Sequence, residues 1–171
     1  MSGARIVRNV RSRNLGIVAV LTVGLIGVTG AEAQQIQTFP GSSCQASGSA
    51  QDLYYSGVIV ANRSDSTNSA VCPIVRGNGL EGWLEIVVSV RDRHSTLNIT
   101  CVAQARNALG QAGSGWSETQ STAGEGEQTL FFGAPGVGLP DVGPYVVVCS
   151  LPPMEEVNQP SYIASYSITE P

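Results

Sequence analysis

The feature that most constrains the fold is an alternation of apolar and polar residues with a period of two. It is clearest from Trp83 to Arg91, where Leu84, Ile86, Val88 and Val90 occupy every second position. Successive side chains of a strand point to opposite faces, so this pattern predicts a strand with one apolar face. No helical periodicity longer than about two turns is present. The chain is therefore expected to be all-β.

Seven further segments show a similar pattern, and segments rich in Gly, Pro, Asn, Asp or Ser separate them. They are Leu53 to Ala61, Ala70 to Val75, Leu97 to Ala105, Trp116 to Thr122, Gln128 to Phe132, Tyr145 to Leu151 and Tyr162 to Thr169. Short strands with turn residues between them predict an antiparallel β-sandwich of about eight strands, of the jelly-roll or immunoglobulin-like type. The immunoglobulin match is weak, because Val147 stands where the tyrosine corner would place a tyrosine.

The first 33 residues have the pattern of a secretory signal peptide. Four arginines precede an uncharged, mostly apolar run from Leu15 to Gly30, and Ala31-Glu32-Ala33 follows it. The apolar run is shorter than the roughly 20 residues that a membrane-spanning helix needs. We expect cleavage between Ala33 and Gln34, which leaves residues 34–171 as a single domain in the periplasm or outside the cell. An uncleaved anchor is the alternative.

Cleavage changes the charge of the chain. Residues 34–171 keep five arginines, no lysine and twelve acidic residues, a net charge of −7. An acidic surface repels phosphate backbones and anionic lipids, so nucleic acid is not an expected partner. No membrane span is expected after cleavage.

All four cysteines follow the cleavage site. Cys44, Cys72, Cys101 and Cys149 are too widely spaced for a zinc site, and an even number in an exported chain predicts two disulfides. Three connectivities are open. Alternation turns Cys101 inward with Leu97, Ile99 and Ala103, and Tyr145 to Cys149 is apolar on both faces. We therefore favour a buried Cys101–Cys149 bridge, with Cys44–Cys72 holding the N-terminal segment.

Exposed aromatic residues are the main candidates for ligand binding. Trp83 lies on the outward face of its predicted strand, and Trp116 follows a glycine-rich segment. Together with Tyr54 and Tyr55 they could stack against a sugar or contact a protein. Burial in the core or under a loop explains them equally well.

No catalytic or metal motif stands out, so catalytic, metal and cofactor residues are all predicted to be none. The Gly113-Ser114-Gly115 segment lacks the spacing of a nucleophile elbow, and Asp92-Arg93-His94 lies in a predicted turn. Two pairs of acids, Glu125 with Glu127 and Glu155 with Glu156, lie in predicted loops. Their carboxylate oxygens could hold a calcium ion, so calcium binding stays open, but the characteristic calcium loop that would support it is absent.

Several segments resemble a family of uncharacterised exported proteins of Gram-negative soil bacteria. The resemblance lies in Ser56 to Asn62, Val71-Cys72-Pro73, Val90-Arg91-Asp92, Cys101 and Tyr145 to Pro152. It implies an export leader and a disulfide-bonded β-sandwich, and it assigns no catalytic residue.

These observations together predict an exported, non-catalytic binding or envelope-associated module with an unknown protein or glycan partner. A carbohydrate-binding module that uses Trp83 or Trp116 is the first alternative. A secreted hydrolase whose site is not visible in the sequence is the second.

Overall fold

The computed structural model describes residues 34–47, 53–75, 84–106, 112–134 and 144–170. The predicted leader, including Ala33, lies outside these ranges. The described residues form eleven strands and a 3-10 turn, Gly41–Ser43. The strands are β1 Gln35–Pro40, β2 Gln45–Ala46, β3 Leu53–Ser56, β4 Ile59–Asn62, β5 Asn68–Ile74, β6 Leu84–Asp92, β7 Thr100–Arg106, β8 Ala112–Ser121, β9 Gly126–Ala134, β10 Tyr145–Leu151 and β11 Tyr162–Glu170. None of the described helical structure is long and apolar enough to cross a bilayer.

The strands form two antiparallel sheets, which confirms the predicted all-β sandwich. Sheet A has the order β3-β4-β11-β6-β9, and β1 pairs with the edge of β11 that β4 also uses. Sheet B has the order β2-β5-β10-β7-β8. The apolar strand β10 therefore lies at the centre of sheet B, as its two apolar faces predict.

The core lies between the inner faces of the two sheets, and their side chains differ in size. Sheet A contributes large residues such as Ile86, Phe132 and Ile168, all fully buried. Sheet B contributes small residues such as Ala70, Ala103 and Cys72 together with larger ones such as Tyr145 and Leu151. These residues form one core cluster between the two sheets.

Both favoured disulfides are present, and neither joins one sheet to the other. Cys101 and Cys149 are directly opposite each other on β7 and β10, with Cα atoms 4.0 Å apart. Cys44 and Cys72 join the segment before β2 to β5 with the same separation of Cα atoms. An immunoglobulin domain instead has a disulfide between its two sheets. Here Cys101–Cys149 connects two neighbouring strands of sheet B, and Cys44–Cys72 connects the segment before β2 to β5.

The structure corrects the predicted number of strands from eight to eleven. The segment Leu53 to Ala61 is a hairpin of β3 and β4, because Gly57, with φ of 57°, turns the chain within it. Strands β1 and β2 were not predicted. Leu97, predicted to face inward, is 47% exposed, because β7 begins only at Thr100.

The last strand contains a break in its alternation. A register shift between Ile163 and Ser165 places Ile163, Tyr166 and Ile168 in the core and leaves Tyr162 on the outer face. Strict alternation along Tyr162 to Thr169 would place Tyr162 and Tyr166 on the same face. The irregularity at Ala164 separates them, since one extra residue moves the following side chains to the other face.

Candidate functional site

A groove of about 400 Å³ lies on the outer face of sheet A. Strands β6, β9 and β11 line it. Most of the lining side chains point away from the core, whereas Val90 and Gln128 belong to the inward-facing set of their strands. The lining residues are Ser89, Val90, Arg91, Glu127, Gln128, Thr129, Tyr162 and Ala164. Because the sheet fixes the positions of these residues, the groove is formed without a bound ligand.

The register of the three strands explains the shape of the groove. Ser89 is directly opposite Thr129, and the irregular residue Ala164 is next to Ser165, which pairs with Ser89 on the other side. These short side chains form a row, and the adjacent row contains the larger Glu127, Arg91 and Tyr162. A row of short residues beside a row of long ones produces the depression.

Arg91 and Glu127 form an ion pair in the groove. Arg91 Nη1 donates to Glu127 Oε1 over 3.0 Å, and the two side chains are 33% and 75% exposed. A pair this exposed stabilises the fold by less than about 1 kcal/mol. Its main effect is local: the positive and negative charges cancel, and both groups remain available for hydrogen bonds.

The turn between β8 and β9 lies beside the groove and is held by Gln128. Its Oε1 accepts from the Ala123 N–H over 2.8 Å, and its Nε2 donates to the Gly124 carbonyl over 2.6 Å. This amide therefore fixes the end of β9 on which Glu127 is located.

Asp92 follows Arg91 and points in the opposite direction, into the protein, where it is fully buried. One carboxylate oxygen accepts from the His94 N–H and the Ser161 hydroxyl, each over 3.1 Å. The other accepts from the Ile99 N–H over 3.0 Å and from the Thr122 hydroxyl. The carboxylate thus connects four segments at the end of the sandwich next to the groove.

His94 does not form a catalytic pair with Asp92. The contact between them comes from the main-chain N–H of His94, whereas its Nδ1 accepts from the N–H groups of Thr96 and Leu97 over 3.2 and 3.0 Å. Glu155 Oε2 lies 3.5 Å from the same nitrogen. An imidazole nitrogen that accepts two main-chain hydrogen bonds stabilises a turn.

Glu155 joins this turn to the segment before β11. Its carboxylate accepts from the Ser95 N–H and the Ser95 hydroxyl, both over 2.7 Å. The main-chain and hydroxyl bonds from Ser95 hold the pKa of Glu155 below its usual range. Its neighbour Glu156 bonds instead to Gln159 Nε2 over 2.6 Å, so the two acids do not act on one site.

The aromatic residues singled out from the sequence occupy different places. Trp83 lies outside the described residues. Trp116, on edge strand β8, is half-buried and packs against the core. Tyr54 and Tyr55 are 38% and 44% exposed and, as neighbours on β3, point to opposite faces of sheet A. A stacking role for either tryptophan stays a prediction.

The residues that line the groove were missed by the sequence analysis. Arg91 and Tyr162 were assigned to strands but not to a site, because their proximity depends on the pairing of β6 with β11, about 70 residues apart in the chain. The polar residues of the alternating pattern, which point outward, were the one signal in the sequence for the outer face of sheet A. Within the described ranges, no group of three or more His, Cys, Asp or Glu residues could hold a metal ion.

Comparisons with known proteins give fold likenesses at low identity. No family model and no curated protein matches the chain. A xylan-binding module, CBM86, from Roseburia intestinalis is 12% identical, with a TM-score of 0.48 over 80% of this chain and 96% of that one. The CBM22-1 xylan-binding domain from Paenibacillus barcinonensis is 13% identical, with a TM-score of 0.46 over 82% and 97%. A Podospora anserina GH26-CBM35 β-(1,4)-mannanase is 10% identical, with a TM-score of 0.45 over 80% of this chain and 28% of that one.

Proposed function

We propose that this chain is a non-catalytic carbohydrate-binding protein whose site is the groove on the outer face of sheet A. The groove itself is the observation that carries the proposal. It is of the size of small-molecule sites and combines an aromatic ring with charged and hydroxyl groups on fixed strands.

A saccharide suits this lining better than an ion or an apolar molecule. Sugar hydroxyls both donate and accept hydrogen bonds, which matches the donors of Arg91, the acceptors of Glu127 and the hydroxyls of Ser89 and Thr129. The apolar face of a sugar ring suits the ring of Tyr162. The internal pairing of Arg91 with Glu127 leaves no net charge at the groove, which favours a neutral glycan.

Arg91 has a further property that suits a functional role. Its Nε is shielded from solvent and has no hydrogen-bond partner among the described residues. A buried donor without a partner is costly.

Binding is proposed rather than hydrolysis because of the number of carboxylates. Glu127 is the one carboxylate in the described lining, whereas glycosidases generally use a pair of them. We also propose that the protein acts outside the cytoplasm, on the basis of its two disulfides and the predicted leader.

Affinity electrophoresis of the exported protein on xylan and on mixed-linkage β-glucan, both neutral polysaccharides, tests the proposal. We expect Arg91→Ala and Tyr162→Ala each to weaken binding by about tenfold or more, because each removes a large side chain that lines the groove. Arg93→Ala is the matched control: Arg93 is two residues away and bonds to Gln159 rather than lining the groove.

Absence of binding by the wild type to both polysaccharides would contradict the proposal. The proposal would also be contradicted if Trp116→Ala abolished binding while Arg91→Ala left it intact. That result would place the site at the edge of sheet B. Circular dichroism of each variant verifies that the sandwich has formed.

A further inference from the structure

The groove is one part of a longer row of side chains on the outer face of sheet A. Direct pairing between strands aligns five outward residues across the whole sheet, from β3 to β9. They are Tyr54, Ala61, Tyr162, Arg91 and Glu127, and we call this set the transverse row. Ala61 lies between the two tyrosines in the row and is fully buried.

The β3 end of the transverse row carries a second polar and aromatic group. The guanidinium carbon of Arg63 lies 3.4 Å from the centroid of the Tyr54 ring. In the part of the chain that the structure describes, no carboxylate lies within ion-pair distance of Arg63. A guanidinium stacked on a ring keeps its in-plane N–H donors directed away from that ring, where they can reach a ligand.

We propose that the transverse row is an extended site for a linear glycan that lies across the strands, with Tyr54 and Arg63 as a distal subsite. This inference rests on the proposed function and specifies its ligand as a chain rather than a single sugar. Four intervals between neighbouring strands span roughly 19 Å, the length of several sugar units. Tyr162 is shared between the groove and the distal half of the row.

Calorimetric titration of the exported protein with oligosaccharides of increasing length tests this arrangement. The probes are the disaccharide and the tetrasaccharide of xylan and of mixed-linkage β-glucan. We expect the tetrasaccharide to bind more tightly than the disaccharide. Tyr54→Ala should weaken tetrasaccharide binding about five- to tenfold and leave disaccharide binding unchanged, because only the longer chain reaches the distal subsite.

Tyr55→Ala is the matched control for this experiment. Tyr55 is the next residue of β3 and is similarly exposed, but it points to the other face of the sheet. It should leave both affinities unchanged. Arg63→Ala should follow Tyr54→Ala, with a smaller loss.

The outcomes separate this inference from the proposed function. Equal affinity for the two lengths, with binding still lost in Arg91→Ala, would overturn the extended site and leave the groove as the binding site. Equal effects of Tyr54→Ala and Tyr55→Ala on the tetrasaccharide would also overturn it. No binding of any probe by the wild type would contradict the proposed function itself.

Discussion

At the scale of single residues, Asp92 shows how one buried side chain can organise an end of the sandwich. Its four hydrogen bonds come from the segments after β6, before β7, after β8 and before β11. Ser161, which donates one of them, also accepts from the Arg93 N–H over 2.9 Å. The neighbours of Asp92 and Ser161 in sequence are Arg91 and Tyr162, which line the groove. The buried carboxylate therefore fixes the strand ends that carry the proposed site.

Asp92→Asn is expected to lower the free energy of unfolding by about 2 to 3 kcal/mol. An asparagine amide retains one acceptor oxygen but replaces the other with an NH₂ group, so two of the four donors to Asp92 lose their partner. Buried donors without a partner have costs of this size. Urea unfolding followed by tryptophan fluorescence measures the change. Asp65→Asn, an exposed acid in the turn before β5, should stay within about 0.5 kcal/mol of the wild type. Equal stability of the two variants would contradict this role of Asp92.

At the scale of elements, the chain crosses between the sheets through the 3-10 turn at Gly41–Ser43. Strand β1 pairs with β11 from Ser165 to Glu170, and β4 pairs with it at Tyr162 and Ile163. Gly41 lies against the main chain of β11 at this junction, close to the irregularity at Ala164. The break in the alternation of β11 thus coincides with the place where the chain leaves sheet A for sheet B.

Gly41→Ala is expected to destabilise the protein by about 3 kcal/mol or more. A Cβ at this position would lie 2.1 Å from the Ile163 carbonyl oxygen, so a strand of sheet A would have to move. Gly57→Ala is the comparison, because a Cβ there meets nothing within 4 Å and only the positive φ opposes it, which costs about 1 kcal/mol. Thermal unfolding of both variants gives the difference. A smaller effect at position 41 than at 57 would contradict the close packing of the turn on β11.

The elements also show how far the sequence could predict this structure. Alternation correctly placed Ile86, Val88 and Val90 in the core, because burial of one face imposes a period of two. It could not predict the extra residue at Ala164, since a bulge depends on neighbouring strands. The transverse row could not be predicted from the sequence either, because its members come from five strands whose order is set by non-local pairing.

At the scale of the whole molecule, Tyr166 links the two sheets through the core. Its ring belongs to β11 of sheet A and stacks on Phe39 at 5.1 Å between centroids, and its hydroxyl donates to the Pro73 carbonyl of sheet B over 2.8 Å. Burial raises the pKa of Tyr166 above its usual range. At pH values below about 10, the pKa of tyrosine in the unfolded chain, the full contribution of this residue to stability is present. It is lost as the pH rises from there toward the higher pKa of the folded state, because the unfolded chain releases the proton more readily.

Tyr166→Phe should therefore lower stability by about 1 kcal/mol at neutral pH, since the hydrogen bond between the sheets is lost. The difference from the wild type should shrink as the pH rises above about 10, because phenylalanine has no proton to release. Denaturant unfolding at neutral and alkaline pH measures both effects. Tyr55→Phe removes an exposed phenol and should match the wild type at neutral pH. The difference in free energy of unfolding between Tyr166→Phe and the wild type could instead stay constant or grow with pH. That result would show that ionisation of Tyr166 does not weaken the link between the two sheets.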